Sequence, residues 1–442
     1  MESIRFCVAT GVYEKEYLKL LLRSLKDNTE LENHEILVWV DTDNQNTYEE
    51  LIELQKTDFP MMRIGKNKYK SQLGSQLNSS VMAKEAKNEI ICFLHSDMVV
   101  GRNFDKEILI ALDNNPLNMV CNSRIEPPLH PASPEKIIKS FGMSPEEFEY
   151  DNFQQFSQEL INENRDNEKG YFAPCTFYRD TFLNILGGFD TQFRCSREDS
   201  DFIIKLEMNN INQIISWKAI VYHFTCTSSR GKDWWKKEED MTAKVNWQKY
   251  ADNVEMKRFI RKWGYFGHDY YPRYDVSLAI DVDCPPEINF LLFVETNVNQ
   301  LILNDKEMVR YIQNHLKWEA VYYSNNKLGH IPEEWEEVKA WFPPTHPIED
   351  RLIYSDSLES NSQVTIKAKM SDLIKQIRNN QEQLTNFFTS INKIVSTNDS
   401  GNFEIFENIN INIEKNLKDL NQNNIKNYNL DNILKTNTFI FK

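Results

Sequence analysis

Two short segments of this chain carry carboxylates where a substrate could meet them. The first is Ile90-Ile91-Cys92-Phe93-Leu94-His95-Ser96-Asp97-Met98-Val99-Val100, an apolar run with an acidic tip. A strand that is apolar at successive positions is buried on both faces, as in a parallel sheet. Asp97 sits where that strand emerges, and open α/β sheets bind ligands at such points. The second segment is Gly187-Gly188-Phe189-Asp190 followed by Arg197-Glu198-Asp199-Ser200-Asp201, with carboxylates after a glycine turn and before a helical stretch. Mg2+ and Mn2+ take oxygen ligands, usually one or two carboxylates plus substrate phosphates. A separate carboxylate can accept the proton of an attacking hydroxyl. Together the segments suggest a metal-bound phosphate substrate facing a general base.

Each residue also has a plainer reading. Asp97 could cap the turn that follows it, and Asp41 and Asp43, after the second strand, could serve turn chemistry. Glu198, Asp199 and Asp201 stand at a helix start, where acidic side chains favour the dipole in any case, and Asp201 reads as a cap. Crowded like charges can also raise one carboxyl pKa into a useful range. His223 closes a late strand, either as a structural histidine or as a neutral imidazole suited to Mn2+ or a phosphate. Arg230 and Lys232 lie in a Thr-Ser-Ser-Arg-Gly-Lys loop that could close over a diphosphate or be a solvated linker. Trp234, Trp235, Trp247 and Trp263 could stack on sugar rings or supply a packing seam.

The elements that must position these groups follow from periodicity. Residues 4–10 read as a strand, and Glu16 to Leu25 as a helix with Tyr17, Leu18, Leu21, Leu22 and Leu25 on one side. Strands are expected at Glu35–Val40, 62–64 and 90–94, with helices at 47–55 and 77–86 between them. This alternation implies a parallel sheet with right-handed crossovers. A helix at 108–112 and a strand at 117–121 precede a proline-punctuated stretch, 124–170, expected as an insertion over one rim. Strands at 171–178 and 214–222 flank helices reaching 186 and spanning 201–208. A Trp-rich helical connector covers 234–270. A smaller α/β or α+β domain is expected over 271–395, with strands at 276–282 and 289–294, a helix at 305–316, and one or two polar helices in 364–395. An Asn-rich, weakly strand-forming tail runs from 396 to 442.

Residues 4 to about 230 resemble a family 2 glycosyltransferase of the GT-A fold. The ordered motifs are Val38-Trp39-Val40-Asp41, Gly74-Ser75-Gln76-Leu77-Asn78, Phe93-Leu94-His95-Ser96-Asp97, Gly187-Gly188-Phe189-Asp190, Glu198-Asp199-Ser200-Asp201 and Val221-Tyr222-His223. The resemblance implies a doubly wound mixed sheet over 1–233. It also implies that Asp41 contacts the nucleotide base, with Asp43, Thr10, Asn78 and Ser96 lining the donor pocket. Asp97, His223 and His95 would hold Mn2+ or Mg2+. Asp199 would be the base of an inverting transfer, with Glu198 and Trp234 on the acceptor side. The chain departs from the family pattern at His95, which replaces the first Asp of Asp-x-Asp, and at Ala9-Thr10-Gly11, where the family often carries proline. Two rivals remain: a nucleotidyltransferase, which has no Gly-rich basic phosphate loop to support it here, and a non-catalytic binding protein on a degenerate scaffold, which the His95 substitution favours.

Composition narrows the classes. At 442 residues the chain can hold two or three domains. Its 40% hydrophobic and 26% charged content is ordinary for a globular protein. A formal charge of −15 does not favour nucleic acid or anionic membrane as a partner. An acidic protein can still bind nucleotides through a metal ion, so the expected partners are a nucleotide-sugar donor and a carbohydrate, lipid-linked or protein acceptor. No signal-peptide pattern or membrane-length apolar run is expected. Seven cysteines without a Cys-x-x-Cys pair indicate neither a zinc knuckle nor a disulfide framework, so a cytoplasmic location is expected.

Overall fold

The computed structural model describes residues 2–10, 15–40, 46–66, 82–84, 86–129, 136–170, 175–190, 193, 197–225, 255, 259, 276–285, 287–295, 297–325, 351–378, 380–398, 400–414 and 440–441. The chain divides into one unit of residues 1–247, 329–341 and 427–442, and a second of 248–328 and 342–426.

In the first unit, β1 (Ile4–Thr10), α1 (Lys15–Asn28), β2 (Glu35–Val40), α2 (Thr47–Thr57), β3 (Met62–Lys66) and β4 (Ile90–His95) follow in the expected order, the helix expected at 77–86 lying mostly outside the described residues. Then come β5 (Met98–Val100), α3 (Phe104–Leu112), β6 (Asn118–Glu126), β7 (Lys136–Ile138), α4 (Tyr150–Glu163), β8 (Glu168–Lys169), β9 (Cys175–Tyr178), α5 (Glu198–Met208) and β10 (Asn212–His223). The sheet runs β3-β2-β1-β4-β9-β6-β10-β5, with Ile440–Phe441 antiparallel on the β3 edge. β3, β2, β1 and β4 are parallel; β9 inserts antiparallel between β4 and β6. This is the mixed, doubly wound sheet of a GT-A-like fold.

The core explains why these segments take these forms. β1, β2 and β4 are buried almost end to end, because helices cover both faces of a parallel sheet. α1 turns Leu18, Leu21, Leu22 and Leu25 inward. Ionisable groups, Arg5, His34 and Asp105 among them, are built into this core. Arg5 is fully buried and pairs with Glu35, its register partner on β2. His34 accepts the amide N–H of Ile4 at Nδ1, 3.1 Å away, so its Nε2 must carry the proton that bonds Asp105 at 2.9 Å. The same Asp105 oxygen accepts the Glu30 amide N–H at 2.9 Å.

Within the stretch expected as a rim insertion, side chains of residues 137–161 pack with Ile220, Tyr222 and Phe224 at the end of β10. Phe141, Phe148 and Phe153 pack with Tyr222 and Phe224, and the Tyr222 hydroxyl donates to the Gly142 carbonyl at 2.6 Å. β6 itself runs on to Glu126, into that stretch.

The second unit holds β11 (Val276–Asp281), α6 (Ile288–Glu295), β12 (Gln300–Leu303), α7 (Lys306–Asn325), β13 (Leu352–Tyr354), β14 (Val364–Lys369), α8 (Met370–Ile377), α9 (Gln381–Thr397), β15 (Gly401–Phe406) and β16 (Ile409–Ile413). The sheet order is β13-β12-β11-β14-β16-β15, with the first four strands parallel. Residues 289–294, expected as a strand, are helical. β11 and β12 are parallel neighbours, so the chain between them must cross back over the sheet. Phe290, Leu291 and Val294 fill the core from that helix, and a short apolar run has no period that separates helix from strand. Residues 364–369 are a strand rather than part of a polar helix, because Val364, Ile366 and Ala368 alternate inward. Among the described residues no helix is long and apolar enough to cross a membrane.

Burial alone would raise the Asp105 pKa, but hydrogen bonds from His34 and the Glu30 and Lys106 amides hold it below the usual value. A depressed carboxyl contributes stability that is present above its unfolded pKa of about 4 and lost as pH falls through its folded pKa. Asp105→Asn is therefore expected to destabilise the first unit by about 1–3 kcal/mol near neutral pH, with a shrinking penalty in acid. Urea denaturation across pH checks this; a constant difference would refute the assignment.

Candidate active site

β4 keeps register with β1 as far as His95 opposite Ala9. The chain then turns through Ser96 and Asp97 and leaves as β5, which pairs with β10 instead. Two helices hold β5 in place. Ser24 Oγ of α1 accepts the Val100 N–H at 3.0 Å, and Gln154 Nε2 of α4 donates to the Val100 carbonyl at 2.9 Å. Gly101 follows because α4 lies against it: a Cβ there would stand 2.9 Å from Ser157 Oγ, the hydroxyl that accepts the Arg102 N–H at 3.1 Å. On the other side His223 is the register partner of Met98, and the Phe224 N–H donates to the Asp97 carbonyl at 3.1 Å.

This arrangement brings His95, Asp97 and His223 together, with one potential ligand atom from each lying within 4.8 Å of the others. His223 Nε2 is 3.5 Å from Asp97 Oδ1. Neighbouring ligands on a metal with bonds of about 2.0–2.2 Å stand roughly 3–4 Å apart, so the three atoms suit one ion. Two imidazole nitrogens with one carboxylate oxygen favour Mn2+ over Mg2+, which prefers oxygen throughout. Asp97 and His223 are buried, and His95 is exposed.

A fourth residue, which the sequence reading passed over, completes the group. Glu126, at the end of β6, accepts His223 Nδ1 at 2.8 Å through Oε1. Arg124 Nε stands 3.3 Å from that oxygen, and Lys136 Nζ of β7 donates to Oε2 at 3.0 Å. Burial would raise the Glu126 pKa, but the His223 bond, Arg124, the His223 charge and Lys136 outweigh it and hold the group at about 2. An ionised carboxylate only accepts, so Nδ1 carries a proton whether the ring is charged or neutral, and in the neutral ring the lone pair lies on Nε2. Burial would lower the His223 pKa; the Asp97 charge and the bonds to Asp97 and Glu126 raise it overall. For His95, desolvation first and His223 second push the pKa down, against Asp97. Its open face to solvent softens the first of these.

The second motif is fixed by aromatic packing. Phe93, two residues before His95, meets Phe182 and Phe189 at ring-centroid distances of 5.0 and 5.5 Å. Phe189 meets Phe202 of α5 at 4.7 Å. The turn before it needs Gly187 and Gly188, at φ 68° and 70°, a region costly for other residues. Asp201, expected as a cap, is instead fully buried 3.5 Å from Lys205, whose ammonium donates to the Gly188 carbonyl at 3.1 Å. Asp199 is exposed in the first turn of α5 and accepts the Ser200 amide at 2.7 Å. Among the described residues its hydrogen bonds run to Ser200 and not to the His-Asp-His cluster; Glu198 beside it is half-buried.

Thr10 is buried at the end of β1, in register with Val40, and Ser96 is buried in the turn before Asp97. Asp41, Asp43, Asn78, Arg230, Lys232 and Trp234 lie outside the described residues. A polar groove of about 680 Å³, lined by Asp27, Arg102, Tyr150 and Gln154 among others, shares no residue with the cluster.

Residues 8–184 match the family model described as Glycosyl transferase family 2. No curated protein matches the chain. Similar solved structures include GalNAc-T7 with UDP, GalNAc and Mn2+, at 14% identity and TM-score 0.38, covering 58% of this chain and 53% of that one. Another is S. aureus TarS 1–349 in complex with UDP, at 14% identity and TM-score 0.37, covering 59% and 74%. The chain thus spans about half the length of the GalNAc-T7 chain. Likeness this loose says nothing of substrate.

The cluster generates a direct expectation. Asp97→Ala and His223→Ala should each weaken Mn2+ binding by more than about tenfold, as read by the loss of free-Mn2+ EPR signal on titration. Wild-type affinity in both folded variants would exclude a metal site here.

Proposed function

We propose that this chain, whose residues 8–184 match the Glycosyl transferase family 2 model, moves a hexose or related sugar from a nucleotide-diphosphate donor to an acceptor hydroxyl, with Mn2+ and with inversion at the anomeric carbon. The observation that carries this reading is the meeting of His95, Asp97 and His223, with ligand atoms within 4.8 Å of one another, beside the end of β4. His95 replaces a carboxylate of the resembled motif with another donor rather than with an inert side chain.

When bound, the metal neutralises charge on the departing diphosphate. The protein supplies the rest. Asp97 and His223 fix the cation's position, and Thr10 and Ser96 line the donor side of the same edge. Asp41, Asp43, Asn78, Arg230 and Lys232 extend this donor set, as the resemblance implies. The acceptor oxygen forms its bond to the anomeric carbon as the bond to the diphosphate breaks, and Asp199 takes the acceptor's proton. Its exposed place at the start of α5 leaves it open to an incoming hydroxyl, with Glu198 and Trp234 as acceptor contacts. The acceptor is a carbohydrate, lipid-linked or protein hydroxyl, and the second unit serves its recognition or assembly. Free thiols at Cys7, Cys92, Cys121, Cys175 and Cys284 fit a reducing cytoplasm.

The test is nucleotide release from UDP-, GDP- and CDP-sugars with Mn2+, Mg2+ or EDTA, alongside donor binding by thermal shift. One donor is expected to turn over with metal only. Asp199→Asn should lower kcat by about 10²–10⁴-fold and leave donor binding intact. Donor binding without turnover across an acceptor panel would favour the binding-protein reading, and no donor response at all would sink the nucleotide-sugar assignment.

A further inference from the structure

We propose that Glu126 is a positioning residue that sets the tautomer of His223 and thereby the metal affinity of the site; this rests on the metal-dependent reading above. The geometry is specific. Glu126 is 2% exposed, and each of its oxygens has a defined partner: His223 Nδ1 at 2.8 Å on Oε1 and Lys136 Nζ at 3.0 Å on Oε2.

A free neutral imidazole can carry its proton on either nitrogen, and only the unprotonated one can bind a cation. Glu126, 2.8 Å from Nδ1, is a closer acceptor than Asp97, 3.5 Å from Nε2, so the neutral ring keeps its proton on Nδ1 and its lone pair on Nε2. Without Glu126 the ring would be free to place its proton on Nε2 and to rotate, and either change removes the donor. Carboxylates that bond a ligand histidine from behind act in this way at metal sites generally. Lys136 holds the Glu126 carboxyl by its other oxygen, and Arg124 Nε stands 3.3 Å from the Oε1 that bonds His223. Glu126 therefore contributes to the site through His223.

The experiment uses the full chain with Mn2+ as the probe, comparing wild type, Glu126→Ala and the milder Glu126→Gln. Metal affinity is read by EPR, and the His223 ring by 15N NMR of histidine-labelled protein without metal, with His223→Ala providing the assignment. In the wild type the neutral ring should carry its proton on Nδ1. Glu126→Ala should move signal towards the Nε2–H form and weaken Mn2+ binding by about 10–100-fold, with kcat restored at saturating Mn2+. Glu126→Gln, which keeps one acceptor for two donors, should fall between and covers the case in which Glu126→Ala does not fold. A folded variant with wild-type Mn2+ affinity and unchanged ring nitrogens overturns the role of Glu126 alone. Failure of the wild type to bind Mn2+ overturns the metal reading beneath it, and the inference with it.

Discussion

The placement of β10 between β5 and β6 is the constraint on which the candidate site depends. One strand end delivers His223 to Asp97 on one side and to Glu126 on the other. The register that does so is not continuous. In the lower half of the ladder Ser216 pairs with Asn122; continued unchanged, that register would carry His223 past the end of β6, opposite Leu129. A bulge between Ser216 and Ile220 resets the pairing so that Tyr222 stands beside Ile125 and His223 beside Glu126. Ser216 Oγ accepts the Ala219 N–H at 3.2 Å inside the bulge. Bulges re-aim side chains near functional sites, and here the extra residues bring His223 within reach of both Asp97 and Glu126.

The second motif is tied to the first through side-chain packing rather than through the ladder. Phe93 lies on the strand that ends in His95, and Phe202 lies one turn from Asp199. Phe189 touches both rings. Displacing any of these rings leaves a void in a close-packed interior, so the strand end and the start of α5 move together or not at all. Lys205 adds a polar tether from α5 to the glycine turn. A flexible turn of two glycines is thus held by a charge and an aromatic stack, which gives a precise place to a carboxylate that itself stays in solvent.

Much of this was legible in the sequence, and what was not has identifiable causes. β1 and β2 fall at the expected residues because continuous apolar runs bounded by polar turns leave little choice. His95, Asp97 and His223 were nameable because each stands at a strand end, where side chains leave the sheet. Glu126 was not, although it too ends a strand. Its neighbours Pro127 and Pro128 marked a loop, and the parallel pairing that brings it to His223 spans 97 residues. Asp201 looked like its neighbours in composition, and only the helix, which sets Lys205 one turn later, shows it to be an internal ion pair. In the second unit, α6 was misread because burial on several sides erases the period that distinguishes a helix from a strand.

The charges around the cluster argue for why a cation belongs there. Glu126 and Asp97 bring two negative charges, and Arg124 and Lys136 bring two positive ones. With Glu126 held at about 2, both cations are already engaged by an ionised carboxylate at neutral pH. With neutral imidazoles this network has no surplus positive charge to offer a diphosphate, and the chain as a whole is acidic at −15. A divalent ion at His95, Asp97 and His223 changes that balance locally. On the proposed reading the anion would be attracted by a charge the protein holds but does not itself carry. A neutral imidazole in place of a second carboxylate strengthens the effect, because one fewer negative charge stands against the incoming phosphate. An ion held there as proposed would therefore keep more net positive charge beside His95 than beside the Asp-x-Asp pair of the resembled motif.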